Sequence, residues 1–188
     1  DISYQINIYF TCYAGLNFQY YNGNLKNFCV SPRAKISFSK NRFTFWADYA
    51  QTAQYLSLYP YFTVKTPVDI WYPLEKNMKP ALCHQYSIGA EQEIQGGLTL
   101  YAGIFYKKMK HVKDFSSGLS TKYTALTDNM ITGSGHARGV EFNLALEHRK
   151  ISARFNYTLS ESKRKFAEIN NGKSFFPPYD VKHNVVVN

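Results

Sequence analysis

The sequence predicts an all-β fold: an antiparallel up-and-down transmembrane β-barrel segment of about eight strands, with short periplasmic turns and long extracellular loops. Three observations lead there. Apolar and polar residues alternate with period two, the alternating runs outlast an ordinary strand, and short and long connections alternate along the chain. Ile6, Ile8, Phe10, Cys12, Ala14, Leu16, Phe18 and Tyr20 fall on one side of an extended chain, with Asn7, Tyr9, Thr11, Tyr13, Gly15, Asn17 and Gln19 on the other, because successive strand side chains point to opposite faces. Ordinary strands average about 5–6 residues, whereas a strand tilted through a bilayer needs about 9–11. Run length therefore selects a membrane strand over a half-buried soluble one.

The remaining strands repeat the pattern. Ala34, Ile36 and Phe38 alternate with Arg33, Lys35 and Ser37; Phe43, Phe45, Ala47 and Tyr49 alternate with Thr44, Trp46, Asp48 and Ala50. Tyr86, Ile88 and Ala90 mark the next strand, and Leu98, Leu100, Ala102, Ile104 and Tyr106 the one after it. Val140, Phe142, Leu144 and Leu146, then Ile151, Ala153, Phe155, Tyr157 and Leu159, supply two more, and a last strand starts near Lys182 and runs into Val185 and Val187. No segment shows a helical period.

Connections separate the two rims. Tight hairpins are expected at Ser39–Asn41, Gln95–Gly97 and His148–Lys150, the second carrying Gly96-Gly97. Long connections are expected at Tyr21–Val30, Thr52–His84, Lys108–His136 and Glu161–Val181. Short turns on one rim and long loops on the other are the asymmetry of outer-membrane barrels.

Composition agrees. Aromatic residues make up 17% of the chain, as required for girdles at two membrane interfaces. A mean hydropathy of −0.37 suits a barrel, in which only alternate residues face lipid. No run of about 18 apolar residues forms a transmembrane helix, and no signal peptide opens the chain, so the export signal is expected upstream of Asp1. Residues 1–188 read as a single partial-barrel domain. The net charge of +9 concentrates at Lys107, Lys108, Lys110 and Lys113 and at Lys163, Arg164 and Lys165. Such cations suit a solvated rim meeting lipid-headgroup phosphates or counter-ions, or the steering of an anionic ligand toward a pore. Nucleic acid is not an expected partner, because the aromatics follow strand alternation and build no stacking platform.

Motifs for covalent chemistry are absent. Cys12 lies on the expected lipid face, where a thiol acts as a small hydrophobe. Cys29 and Cys83 sit on strands separated by a third, roughly 9–10 Å apart by strand spacing and too far for a disulfide. His84, His111, His136, His148 and His183 are scattered, so no metal and no cofactor is expected. Gly133, Gly135 and Gly139 imitate a phosphate loop but lack the helix that would follow it. Arg33, Asp48, Glu141 and Arg154, with Lys35, Glu91, Glu93 and Glu147, face inward and are read as lumen-lining rather than catalytic, since a polar lumen requires mixed charge. The connection from Tyr55 to Lys79 concentrates Tyr59, Tyr61, Phe62, Trp71 and Tyr72, stiffened by Pro60, Pro67 and Pro73. Tyr59, Tyr61, Trp71 and Tyr72 are the candidate ligand contacts, because rigid aromatics offer large area at little entropic cost; the competing reading packs them into the loop or the upper girdle.

From about Gly15 onward the chain resembles the barrel of a TonB-dependent outer-membrane receptor, of the type associated with gut Gram-negative bacteria. The resemblance rests on ordered motifs: Ser31-Pro32-Arg33, Thr52-Ala53-Gln54-Tyr55-Leu56, Pro67-Val68-Asp69-Ile70-Trp71-Tyr72-Pro73, Lys79-Pro80, Gln85-Tyr86-Ser87-Ile88-Gly89, and Tyr106-Lys107-Lys108-Met109-Lys110. Ala137-Arg138-Gly139-Val140-Glu141-Phe142, Asn156-Tyr157-Thr158-Leu159-Ser160, and Tyr179-Asp180 with His183 complete it. The resemblance implies a 22-stranded barrel around an N-terminal plug, pulled by an inner-membrane energy-coupling protein, and no enzymatic activity. It implies import of a bulky nutrient, with iron chelates, cobalamin and glycans among the family's ligands. Outer-membrane lipid, the plug and the coupling protein are the implied partners, with room for a surface lipoprotein. Plug, coupling motif and terminal aromatic residue are not in this segment. The alternatives are a complete eight-stranded outer-membrane barrel with a structural or adhesion role, and a soluble all-β binding domain or hydrolase.

Overall fold

The computed structural model describes all residues except 24–25, 60–69, 75–77, 116–129 and 149, and omits the side chains of residues 58, 59, 70, 72 and 115. Its strands are β1 (Ile2–Gln5), β2 (Phe10–Asn22), β3 (Lys26–Lys40), β4 (Phe43–Gln54), β5 (Leu56–Tyr59), β6 (Ile70–Pro73), β7 (Ala81–Ile94), β8 (Leu98–Phe115), β9 (Met130–His148), β10 (Ile151–Lys165) and β11 (His183–Val187). Nine of them form one sheet in the order β1-β2-β3-β4-β7-β8-β9-β10-β11, and β5 and β6 make a separate hairpin. Every pairing is antiparallel between consecutive strands of the sheet. The result is an up-and-down meander whose edges, β1 and β11, remain open.

Period two carries through the register. On one face the cross-strand rows read Phe43–Gln92–Leu100–Leu144–Phe155–Val187, then Phe45–Ala90–Ala102–Phe142–Tyr157–Val185, then Ala47–Ile88–Ile104–Val140–Leu159–His183. β2 and β3 extend the same face with Phe10–Phe38, Cys12–Ile36, Ala14–Ala34, Leu16–Pro32 and Phe18–Val30. The opposite face reads Thr44–Glu91–Tyr101–Asn143–Asn156, Trp46–Gly89–Gly103–Glu141–Thr158 and Asp48–Ser87–Phe105–Gly139–Ser160. Exposure along β8 follows this parity from Tyr101 to Lys110: the even, mostly apolar positions are exposed and the odd ones partly covered.

None of the described residues forms a core over the apolar face. Among the described residues the buried large apolar side chains are Leu74 and Phe166, 2% and 1% exposed; both lie at the long-loop rim. The chain exposes 13203 Å², against about 9,000 Å² for a compact soluble protein of this mass. An apolar sheet face of this extent is foreign to soluble monomers, which rarely expose apolar patches above a few hundred Å².

Turns explain how the strands reverse. Asn41 and Arg42 both take positive φ, at 50° and 63°, giving the primed two-residue hairpin whose twist matches its strands. Gly96 and Gly97, at φ 91° and 82°, do so between β7 and β8, where a side chain would be strained. Pro32 marks where β3 and β4 part. Their pairing ends at Arg33–Ala50; proline has no N–H to extend a ladder, and the Gln51 Nε2 donates instead to the Val30 carbonyl at 3.0 Å.

Four expectations need correction. The run from Ile6 to Tyr20 is not one strand: β1 folds back on β2, because the Asn7 side chain accepts from the Tyr9 and Phe10 amides at 2.8 and 2.9 Å and closes a turn. The expected long connection Tyr21–Val30 is short, since β3 starts at Lys26 and pairs it with Asn22; short and long connections therefore do not alternate strictly. The Thr52–His84 connection contains the β5–β6 hairpin. Lastly, β8 and β9 pair on to Phe115 and Met130, past a bulge at His111 whose φ is 54°. Nine strands form the sheet where about eight were expected.

Candidate functional site

The polar face is built from rings laid flat on glycines. Trp46 on β4 covers Gly89 on β7, where a Cβ would lie 2.6 Å from the Trp46 Cζ2. Tyr101 lies along its own strand over Gly103, where a Cβ would meet the phenol oxygen at 2.5 Å, and Phe105 covers Gly139, with a Cβ 2.7 Å from its Cζ. Trp46 and Tyr101 stack at 5.5 Å between centroids. Glycine strand positions lose packing, and an aromatic ring from a neighbour restores it. Laid this way, the large residues cover the sheet instead of standing up from it.

Charge is arranged around these rings. Glu91 is the cross-strand partner of Tyr101, and Glu141, opposite Gly103, and Asp48, opposite Ser87, stand on the same face. Three cations of this face lie over rings: Lys35 Nζ is 5.2 Å from the Trp46 centroid, Lys107 Nζ 5.1 Å from Phe105, and the Arg33 guanidinium carbon 5.8 Å from Tyr13. Asn143 donates to Asn156 across β9 and β10.

All four expected lumen residues stand on this face. Asp48 stands between Lys35 and Ser87 in the register, and Glu141 between Gly103 and Thr158. Arg33 pairs with Asp1, its Nε 3.2 Å from Oδ1. Arg154 lines a separate polar concavity of about 620 Å³ with Glu91, Glu147, Asn143 and Asn156 near the short-turn rim. The four therefore share a wall without forming one cluster. Cys12, Cys29 and Cys83 are free, with Cys12 on the apolar face beside Ile36 and Cys29 and Cys83 on the polar one.

At the long-loop rim, the β5–β6 hairpin sets Leu58 opposite Trp71 and Ser57 opposite Tyr72. Leu74 anchors it, buried, with its amide on the Tyr55 carbonyl at 3.1 Å. Trp71 is 59% exposed. Tyr59 and Tyr72 have described backbones only, and Tyr61 lies outside the described residues, as do Phe62, Pro60 and Pro67. Below the hairpin, Tyr21 and Tyr55 stack at 5.2 Å with ring planes 10° apart. Sequence reasoning missed that pair, and missed the stack of Tyr101 on Trp46. Parity placed Tyr101, Gly89 and Gly103 on one face; the registers that bring ring onto glycine were needed as well.

An open meander with one apolar, exposed face and one polar, ring-paved face has the construction of an outer-membrane barrel wall. The chain belongs to the TonB-dependent receptor family: the family model described as "TonB dependent receptor-like, beta-barrel" matches residues 2–184. That family comprises receptors and transporters of the Gram-negative outer membrane, not enzymes. No curated protein and no solved structure matches the chain.

Proposed function

We propose that this chain is an arc of the barrel wall of an outer-membrane receptor that imports a bulky nutrient, such as an iron chelate, cobalamin or a glycan, using energy relayed from the inner membrane. The observation that carries the reading is the two-faced open sheet in a chain of this family. Residues 1–188 act as one domain. The apolar face meets lipid, the polar face meets a plug, and Arg33, Asp48, Glu141 and Arg154 line the lumen. Flat-lying Trp46, Tyr101 and Phe105 favour this over a small closed barrel, whose interior is filled by upright side chains; they leave room for a plug. The uncovered apolar face speaks against a soluble domain. The short-turn rim is periplasmic, and the long-loop rim, with Tyr59, Tyr61, Trp71 and Tyr72, is extracellular and contacts the ligand. The plug, the inner-membrane coupling protein and a surface lipoprotein are the proposed protein partners.

The test uses the full-length receptor in a Gram-negative host whose own uptake systems are deleted. Growth on a limiting iron chelate, cobalamin or glycan is expected to depend on the receptor for one of them, and to cease when the proton gradient is collapsed. In sealed cells, a cysteine at Asn171 is expected to label from outside and one at Lys40 not to label. Equal labelling, or gradient-independent uptake, would overturn the reading.

A further inference from the structure

The outward face does not stay apolar to the long-loop rim. Above the row Ala47–Ile88–Ile104–Val140–Leu159, the next rows on β8, β9 and β10 read Tyr106–Arg138–Glu161, then Lys108–His136–Lys163, then Lys110–Ser134–Lys165. The first apolar outward residue of β8 at the other rim is Leu98, so Leu98 to Tyr106 covers nine residues, one crossing for a tilted strand of about 9–11 residues. The cations begin where the hydrocarbon ends. They point away from the lumen, and parity separates them from Lys107, which lies over the inward Phe105. Beyond the bulge, Lys113 is engaged with the Thr132 hydroxyl at 2.7 Å.

Five permanent cations, Lys108, Lys110, Arg138, Lys163 and Lys165, thus occupy three consecutive outward rows of β8, β9 and β10, in which the carboxylate is Glu161. Glu161 is taken by Arg138, whose Nε lies 2.8 Å from its Oε1, and reaches Lys163 only at 3.9 Å. Lys163 rests over Phe176 at 5.0 Å, and Tyr106 stacks on His136 at 6.5 Å. A recess of about 320 Å³ opens among Tyr106, Lys108, Lys110, His136, Lys163 and Lys165. Neighbouring strands lie about 4.8 Å apart and alternate residues about 6.6 Å, so the long side chains of two or three of these lysines are within reach of one tetrahedral anion.

We propose that this patch is a binding site for the phosphate groups of a phosphorylated glycolipid in the outer leaflet. Its apolar floor, Ile104, Val140 and Leu159, holds the acyl chains, and the cations above it hold the headgroup. The proposal rests on the outer-membrane reading above and adds to it a fixed annular lipid on the β8–β10 sector.

The test compares two double variants of the full-length receptor with equal loss of charge: outward Lys108→Gln with Lys163→Gln, and inward Lys35→Gln with Lys107→Gln. Each is purified in detergent, exposed to vesicles of zwitterionic phospholipid with or without lipid A, and examined for retained lipid by native mass spectrometry. Wild type and the inward variant are expected to retain lipid A. The outward variant is expected to lose at least tenfold, and inorganic phosphate at matched concentration to displace little. Equal retention by the outward variant, equal loss by the inward one, or displacement by free phosphate would overturn the site. Heat-modifiable gel migration and outer-membrane fractionation are read alongside. A receptor that folds into the outer membrane without retaining lipid A defeats only this site, whereas failure to reach that membrane defeats the underlying reading with it.

Discussion

The two faces of this sheet share every backbone hydrogen bond and differ in everything else. Outward, Ile36, Ile88, Ile104, Phe142 and Leu144 stand exposed in unbroken rows. Inward, the large residues are tucked onto glycines, and cations are laid over rings. Between the two rims, parity sets the arrangement. The difference teaches that exposure of an apolar side chain is a statement about its solvent. A row of exposed leucines that would make a soluble protein aggregate is the stable face of a wall in lipid.

The sharpest way to break that contrast is to put a cation on each face in turn. Leu144→Arg, in the middle of the outward face, should cost about 2–4 kcal/mol in the full-length barrel, the range for a cation at the bilayer midplane. Its neighbour Asn143→Arg points inward and should cost about 1 kcal/mol, through loss of the Asn156 contact. Reversible unfolding into lipid vesicles measures both. Comparable losses would mean that the faces are misassigned.

Parity is also what made the fold legible in sequence. Phe155 and Tyr157 outward, and Arg154 and Asn156 inward, follow from period two alone and stand so in the register. Strand ends were not legible, because ladder hydrogen bonds do not depend on apolar side chains. Beyond Tyr106 the chain turns polar, with Lys108 and Lys110, yet it continues to pair up to Phe115. The turn at Asn7 was hidden for a related reason: Ile6 and Ile8 keep the alternation going through the reversal, and only the Asn7 side-chain acceptor betrays it. At the candidate site, the common polar face of Arg33, Asp48, Glu141 and Arg154 was legible. Their partition was not: it depends on the Arg33–Asp1 contact and on rings reaching across strands, which no single strand encodes.

The ring-on-glycine device gives a second, smaller test, confined to the inward face. Gly89→Ala places a Cβ 2.6 Å from Trp46 and forces the indole off its stack with Tyr101; overpacking of this kind costs about 1–3 kcal/mol. The same substitution in a Trp46→Ala background should cost nearly nothing, since the clashing ring is gone. A double-mutant cycle reads the coupling. An equal penalty in both backgrounds would show that Gly89 serves the backbone rather than the ring. Ala90→Gly, one residue along and outward, is expected to show no coupling to Trp46.

The smallest expected effect lies where the two-face rule stops applying. Trp71 is 59% exposed, as exposed as any outward leucine, yet it belongs to the β5–β6 hairpin and to neither face of the large sheet. Lipid therefore does not account for its exposure. The hairpin itself is held elsewhere, by buried Leu74 and by the Leu74 amide on Tyr55, so removal of the indole leaves its anchor in place. Trp71→Ala should accordingly preserve heat-resistant gel migration of the full-length receptor. Truncating an aromatic anchor at a binding surface weakens affinity by about 1–2 kcal/mol, roughly tenfold, and on the proposed function that loss is expected for the ligand that supports receptor-dependent growth. Leu58, its cross-strand partner, supplies a control at the same rim, because Leu58→Ala removes aliphatic area without a ring. A Trp71→Ala receptor with unchanged affinity, or one that no longer forms the heat-resistant barrel, would make the indole part of the loop's own packing and move ligand contact away from this hairpin.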